Sequence, residues 1–387
     1  MTAPLLWQVA PHAGYFINSV GTSDDGRTLV AGTFFHSYSE ERRAGANSND
    51  GTFGIYCFDP ATGATRWSNT FDGYEGVYWA TVSSDGSYAA SCGWYSSTPT
   101  YNGFIAAFDA ATGGSALDYY KTPSRVNQVS LNADGSVLAA GGDQLYLFFR
   151  SGTQFSTTPS TLPVASGDSV ISIGISADGQ WVAAGTYDGT VLLVKIVGGV
   201  PVSSNKWAPA TTNTVHSVAM AKNGQGFAVG MKNGEFVYFD CEDFIGTATP
   251  VPAWTQTLTG ASSVYGVAIA SDASFVSAVG NIGSAGGTAA VYDNSGTAAT
   301  LRWQQSLTAN PNSTSIDSEG LFVAVADGHP DGTPGHFTLF NAASSAQIWS
   351  YTTGNMSWPI QLAGNAMACI AGSDDGNVYY FNPLRVF

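Results

Sequence analysis

The sequence predicts an all-β protein, an eight-bladed β-propeller of four-stranded antiparallel blades, closed by an N-terminal strand that completes the last blade. Three observations support this prediction. A strand, turn and strand pattern recurs eight times along the 387 residues. A third apolar strand follows these copies, and a fourth strand is missing only from the last one. Repeats of this kind are typical of propellers, because one such unit cannot bury its apolar faces alone.

Each repeated unit begins with two short strands joined by a tight turn. Apolar residues of period two flank an Asp-Gly turn or a variant of it, a pattern that favours a hairpin. The copies recur at intervals of roughly 44 to 61 residues, the spacing of propeller blades. They begin near Ile17, Val77, Val126, Val170, Val215, Val264, Ser313 and Pro359. The fourth strand usually carries a tryptophan, as at Trp67, Trp207, Trp254, Trp303 and Trp349.

The fourth strand of the last blade is predicted to come from the N-terminus. The segment LLWQVAP around Trp7 is similar to LRWQQSL around Trp303, which is a fourth strand. Pairing of the two chain ends would remove the open sheet edges that invite aggregation. The single predicted domain covers residues 1–387, with blades near 14–73, 74–123, 124–165, 166–210, 211–260, 261–308, 309–354, and 355–387 together with 1–13.

The strand and turn pattern resembles WD-repeat blades, although the Trp-Asp dipeptide of that family is absent. The segment FDPATGATRW from Phe58 is similar to the tryptophan-docking motif of pyrroloquinoline-quinone-like propellers, and weaker copies start at Phe108 and Phe340. These resemblances imply the fold over nearly the whole chain but no single function, because propellers include enzymes, lectins and scaffolds. Quinone-binding relatives hold their cofactor under two adjacent cysteines, and this chain has no such pair, so no cofactor is predicted.

Composition narrows the classes of partner. Asp, Glu, Lys and Arg make up only 11% of the chain, and the formal net charge is -15. Nucleic acids and anionic membranes are bound through clustered basic residues, so neither is expected as a partner. No apolar run is long enough to span a bilayer, so no membrane insertion is expected. The N-terminus lacks signal-peptide features, while the Ser- and Thr-rich composition is compatible with a secreted or periplasmic protein. The sequence leaves the compartment open.

No motif predicts a metal centre or a known catalytic site. Cys57, Cys92, Cys241 and Cys369 lie in apolar strand patterns without CxxC spacing, which predicts buried free thiols. His329 and His336 flank a proline-rich turn and are candidate metal ligands, although isolated loop histidines are usually solvated. The spacings of metalloprotease, hydrolase, phosphate-loop and calcium-loop motifs are absent.

A candidate ligand-binding ring follows from aligning the repeats, because the first strands should all begin at one mouth of the central channel. One variable residue stands near the start of each first strand. The eight positions are Asn18, Tyr78, Asn127, Ile171, His216, Tyr265, Asn312 and Trp358. Aromatic faces offer stacking area, and amide and imidazole groups offer oriented hydrogen bonds. All except Ile171 are therefore predicted to bind ligand. The alternative is that the rings fill the channel mouth and the asparagines cap turns.

Long loops between the second and third strands of blades one, two and seven should build a wall beside this mouth. Their aromatic residues and neighbours form a candidate rim of Phe34, Phe35, His36, Tyr38, Trp79, Trp94, Tyr95 and Tyr101. Loops on a rigid scaffold commonly carry recognition, so Trp79, Trp94 and Tyr95 are added to the predicted ligand-binding set. The alternative is that these aromatics pack the loops onto the blades.

The sequence therefore favours a non-catalytic binding or scaffold propeller that recognises a glycan, a small polar ligand or a protein segment at the channel mouth. The first alternative is an enzyme of the lyase, isomerase or hydrolase type. His216 would then act as acid or base, with Tyr78, Tyr265 or Glu75 assisting. A third hypothesis is a structural subunit of an extracellular assembly.

Overall fold

The computed structural model describes residues 4–34, 53–71, 76–97, 100–210, 213–283, 286–329 and 333–384, without the side chains of 95–97 and 100–102. Eight antiparallel sheets follow one another along the chain, which confirms the predicted eight-bladed propeller. Consecutive first strands contact one another around the channel, and the fourth strand lies at the outer edge of its blade. None of the described helices is long and apolar enough to cross a membrane.

The strands of blades one to four alternate in direction, so every blade presents its loops at two opposite faces. Blade one contains Phe16–Thr22, Leu29–Phe34, Gly54–Phe58 and Thr65–Thr70. Blade two contains Val77–Val82, Tyr88–Ser97, Thr100–Asp109 and Ser115–Thr122. Blade three contains Gln128–Leu131, Val137–Gly141 and Gln144–Ser151, with a divided outer strand formed by Gln154–Phe155 and Ser160–Pro163. Blade four contains Val170–Ile175, Trp181–Thr186, Val191–Val197 and Val200–Trp207.

Blades five to eight repeat the same order, with one short helix inserted. Blade five contains Val215–Met220, Gly226–Met231, Glu235–Asp240 and Trp254–Thr257, and the helix Cys241–Gly246 precedes its fourth strand. Blade six contains Ser263–Ile269, Phe275–Asn281, Gly287–Asn294 and Ala299–Leu307. Blade seven contains Pro311–Ile316, Phe322–Asp327, His336–Asn341 and Gln347–Thr352. Blade eight contains Ser357–Leu362, Cys369–Ser373, Val378–Phe381 and the N-terminal strand Leu5–Val9.

The two chain ends close the ring as predicted. Strand Leu5–Val9 pairs antiparallel with Val378–Phe381, so it becomes the fourth strand of blade eight. The indole of Trp7 stacks on Tyr380 with ring centroids 5.0 Å apart. Its Nε1 donates a hydrogen bond of 3.0 Å to the carbonyl of Pro60 in blade one. The N-terminal strand therefore contacts both blades at the junction.

Tryptophans of the fourth strands join other consecutive blades in the same way. Trp67 Nε1 donates to the Ala110 carbonyl at 2.8 Å, and Trp303 Nε1 donates to the Ala342 carbonyl at 2.7 Å. Gly113 lies under the Trp67 ring with φ at 73°, and a Cβ there would lie 2.8 Å from the indole. Only glycine fits such a turn without strain, which explains why Gly113 ends the ATG segment at residues 111–113.

A closed circle of backbone hydrogen bonds joins the turns between the first and second strands, which we call the turn ring. The face that carries this ring is the turn face. Each blade bonds to the next, and the eighth returns to the first. The bonds are Asp24 N to Ser84 O, Asp85 N to Ala133 O, Ala133 N to Ala177 O, Ala177 N to Lys222 O, Asn223 N to Ser271 O, Ser271 N to Ser318 O, Ser318 N to Gly364 O, and Asn365 N to Asp24 O.

Candidate functional site

The channel contains a cavity of about 650 Å³ that runs along the first strands, from their starts at the opposite face to their last residues. We call that face the mouth face. First strands from all eight blades line the cavity, whereas none of the described turn-ring residues does. The wall includes every position of the predicted ring: Asn18, Tyr78, Asn127, Ile171, His216, Tyr265, Asn312 and Trp358. Their ligand-binding role stays a prediction, since the structure gives placement alone.

The three asparagines of the ring bond to neighbouring blades. Asn18 Nδ2 donates to the Tyr78 carbonyl at 2.7 Å, and Asn127 Nδ2 donates to the Val170 carbonyl at 2.8 Å. Asn312 Nδ2 likewise donates to the carbonyl of Ser357 in blade eight at 2.8 Å. Each amide therefore satisfies a backbone acceptor at the start of the next blade. This bridging role differs from the turn capping that the sequence offered as an alternative.

A second polar layer also serves to join blades. Gln128 accepts from the Ile173 amide at 3.0 Å, Ser172 from Val218 at 2.8 Å, and Ser217 from Val267 at 3.1 Å. Sequence reasoning missed this layer, although a pattern in the sequence indicates it. A polar residue directly follows the ring position in five blades, at Ser19, Gln128, Ser172, Ser217 and Ser313. Buried backbone groups need partners, and four of these side chains provide them, whereas the Ser19 hydroxyl has none among the described residues.

His216 and Tyr265 form a stacked pair on the cavity wall, with ring centroids 4.6 Å apart and an angle of 13° between the rings. The Nε2 atom of His216 is buried and has no hydrogen-bond partner among the described residues. Burial, followed by the nearby charge of Lys232, lowers the pKa of His216 below its usual 6.5. The imidazole is therefore neutral at pH 7 and can hydrogen-bond without carrying charge.

An aromatic cluster stands between blades one and two. The rings of Phe34, Tyr78 and Trp94 lie 5.3 to 5.6 Å apart. Phe34 is 1% exposed and Trp94 is 3% exposed, so both rings pack the mouth end of their blades instead of presenting open faces. Burial raises the pKa of Tyr78, while Arg125 acts to lower it. Tyr78 therefore keeps its proton at neutral pH.

The remaining rim residues have different outcomes. Trp79 lines the cavity and is partly exposed. Phe35, His36, Tyr38 and Glu75, together with the side chains of Tyr95 and Tyr101, lie outside the described residues. Arg125 and Tyr187 are among the wall residues that escaped sequence reasoning. Arg125 stands two residues before a ring position in a chain with few cations, which was the available signal.

The cysteines and loop histidines do not come together as a metal site within the described part of the chain. All four cysteines are buried and free, which confirms that part of the sequence prediction. Burial raises the pKa of Cys57 to about 11. His336 Nδ1 lies 3.0 Å from Asp327 Oδ1, a contact that raises the pKa of the histidine. Within the described ranges no three His, Cys, Asp or Glu side chains come together as a metal site.

Fold and cavity define a class of protein: an eight-bladed β-propeller with a cavity along its central channel. The family described as WD domain, G-beta repeat matches residues 157–194, at the junction of blades three and four. The match covers about one repeat. No curated protein sequence matches the chain.

Solved structures reproduce the fold at low identity. Sqt1 of Chaetomium thermophilum, bound to the N-terminus of ribosomal protein L10, gives a TM-score of 0.69 at 13% identity, over 98% of this chain and 100% of that chain. Sqt1 of Saccharomyces cerevisiae gives 0.69 at 12% identity, over 98% and 99%. The Cps50 (Swd1) β-propeller domain of Myceliophteria thermophila gives 0.57 at 12% identity, over 78% and 96%. Likeness at this level shows the fold alone.

Proposed function

We propose that this propeller is a non-catalytic protein-binding scaffold whose mouth face receives a segment of a partner protein. The observation that supports this proposal is the 650 Å³ cavity, whose wall includes the mouth-end residues Arg125, Tyr187 and Thr214. Much of its polar wall is already engaged in bonds between blades, which leaves few side chains to carry out a reaction. A recess with aromatic faces and few free polar groups suits binding.

A protein segment is favoured over a glycan or small polar ligand by analogy. One propeller of the same fold, Sqt1 of Chaetomium thermophilum, was crystallised with the N-terminus of ribosomal protein L10. That partner belongs to Sqt1, and identity of 13% gives no reason to transfer it. The shared architecture supports the general class of ligand, an extended chain segment. A glycan and a small polar ligand are the competing outcomes of the experiment below.

The relationship to pyrroloquinoline-quinone-like propellers also belongs to the proposal. The tryptophan contacts of Trp7, Trp67 and Trp303 with the next blade have the form that the docking resemblance implies. We infer that the blades combine a WD-like hairpin with this docking turn. The enzyme alternative retains one supporting observation, the neutral imidazole of His216, whose Nε2 has no hydrogen-bond partner among the described residues. The partly buried Tyr78 and Tyr265 share its cavity.

The proposal is tested by selecting binders from a phage-displayed random peptide library against the purified chain, in parallel with a glycan array. Selected peptides should lose affinity about tenfold or more for Tyr265→Ala, because truncating a central aromatic anchor is costly. The matched control is Tyr351→Ala, whose ring packs on Phe381 at the outer edge of blade seven. Affinity is measured by titration calorimetry, and folding of each variant by circular dichroism.

Equal binding to the two tyrosine variants would show that the mouth is not the site. Binding of glycans with no peptide selected would replace the proposed ligand class.

A further inference from the structure

Positive side chains divide sharply between the two faces of the propeller. On the turn side each described lysine or arginine has a partner, in the pairs Arg27–Asp25, Arg66–Asp59, Lys195–Glu242, Lys222–Asp24 and Arg302–Asp293, and Arg150 bonds to three carbonyls. The described cations without an ion pair or hydrogen bond all lie at the mouth end: Lys121, Arg125, Lys206 and Lys232. Carboxylates such as Asp168 and Asp188 also lie at this end, so the unpaired cations do not make the mouth face positive as a whole.

Arg125 is the member of this group that lines the cavity. It precedes the first strand of blade three and is partly buried. Its guanidinium carbon lies 5.8 Å from the centre of the Trp94 ring, and its charge reaches the Tyr78 phenol. A guanidinium is always charged and has five N–H donors. No described residue accepts a hydrogen bond from these donors.

None of the described carboxylates forms an ion pair with Arg125, and none of them lines the cavity. Asp143 accepts from the Tyr146 hydroxyl at 2.7 Å, and Asp375 accepts from the Tyr379 hydroxyl at 2.6 Å. The acidic turn face lies a strand length away, about 20 Å for six residues at roughly 3.3 Å each. This exceeds the screening length of about 8 Å at physiological salt. Charges at the turn face are therefore largely screened at the mouth.

We propose that Arg125 and the Tyr78 hydroxyl bind a carboxylate, the Asp or Glu side chain of the partner segment that enters the cavity. This inference rests on the proposed function and specifies its partner chemistry. A carboxylate matches the paired N–H donors of a guanidinium, and Tyr78 adds a third donor. The Trp94 ring beneath the guanidinium limits its movement, since Arg stacks on aromatic faces.

A second positive group supports the same polarity across the cavity. Lys232, in blade five, lies close enough to His216 to lower its pKa. Lys232 is exposed and does not line the cavity, so it adds only a weak field there. An unpaired guanidinium on the cavity wall favours an anionic ligand and disfavours a basic one, so Arg125 sets specificity.

The test uses the peptides selected on the full chain and compares two substitutions that each remove one positive charge. Arg125→Gln should weaken binding of a Glu- or Asp-containing peptide about tenfold or more, because hydrogen bonds to charged groups are strong. Lys206→Gln is the matched control, since Lys206 is exposed on the outer strand of blade four and does not line the cavity. It should change affinity less than about twofold. Arg125→Lys should give partial recovery, because it keeps charge without the paired donors.

Peptides in which the acidic residue is replaced by Gln or Asn complete the cycle. They should bind wild type and Arg125→Gln equally. Selected peptides that need Tyr265 but have no acidic residue, and that bind Arg125→Gln normally, would overturn the carboxylate inference and leave the proposed function standing. A library that yields no peptide sensitive to Tyr265→Ala would overturn the proposed function and this inference with it.

Discussion

The two faces of this propeller are built from the same repeat but are finished in opposite ways. At the turn face eight backbone hydrogen bonds close a circle, and Lys222 of blade five bonds to Asp24 of blade one at 2.5 Å and to Ser318 of blade seven at 3.1 Å. At the mouth face Arg125, on the cavity wall, has no counter-ion among the described residues, and the His216 Nε2 has no partner there. Backbone hydrogen bonds thus close the first face, whereas the second keeps an unpaired cation on the cavity wall.

This difference indicates a division of labour along the channel axis. Short turns with little variation allow every blade to bond to the next at one end. Loops that vary in length and composition leave the other end free to differ from blade to blade. Stability should therefore be more sensitive to substitutions near the turn face, and binding to those at the mouth.

The largest expected effect compares two tryptophan truncations. Trp303→Ala removes a buried indole and its bond to Ala342, so the free energy of unfolding should fall by about 3–5 kcal/mol. Trp79→Ala removes a partly exposed indole from the cavity wall and should cost about half as much or less. Urea unfolding followed by circular dichroism measures both. A larger loss for Trp79→Ala would reverse the proposed division.

A smaller effect is expected at the contact that crosses the turn end of the channel. Lys222→Met should lower the free energy of unfolding by at most about 1 kcal/mol, because Lys222 and Asp24 are both partly exposed to solvent. Asp24→Asn and the double variant complete a double-mutant cycle, and the coupling should shrink as salt is raised. Peptide binding at the mouth should be unchanged. A change in peptide affinity would show that the two faces are coupled.

The smallest expected effect is a pair of opposite pH slopes. The pKa of His216 is lowered in the folded state, so on acidification this histidine binds a proton more readily in the unfolded chain. Stability should therefore fall as pH drops below about 6.5. His336 has a raised pKa, so its pair with Asp327 contributes below about pH 6.5 and is lost as pH rises through its folded-state pKa. His216→Gln should remove the first slope and His336→Gln the second, in unfolding titrations across this range. Slopes of the same sign would contradict the assignment.

Much of the fold could be predicted because its signals are local. Period-two apolar segments around Asp-Gly turns predicted the hairpins, and the likeness of the Trp7 and Trp303 segments predicted closure, which the pairing of Leu5–Val9 with Val378–Phe381 confirms. Placement of the ring at the channel also followed from the repeat. Its use did not, because whether Asn127 faces a ligand or bonds to Val170 depends on where the next blade begins.

Sequence alone determined the number of blades, the order of strands and the closure of the ring, since each depends on a pattern carried within one repeat. Tertiary structure decided which polar side chains are already satisfied, that Trp94 is buried and that Arg125 has no ion pair among the described residues. These properties depend on distances between residues from different blades. Such distances are fixed only when eight separate sheets pack around one axis.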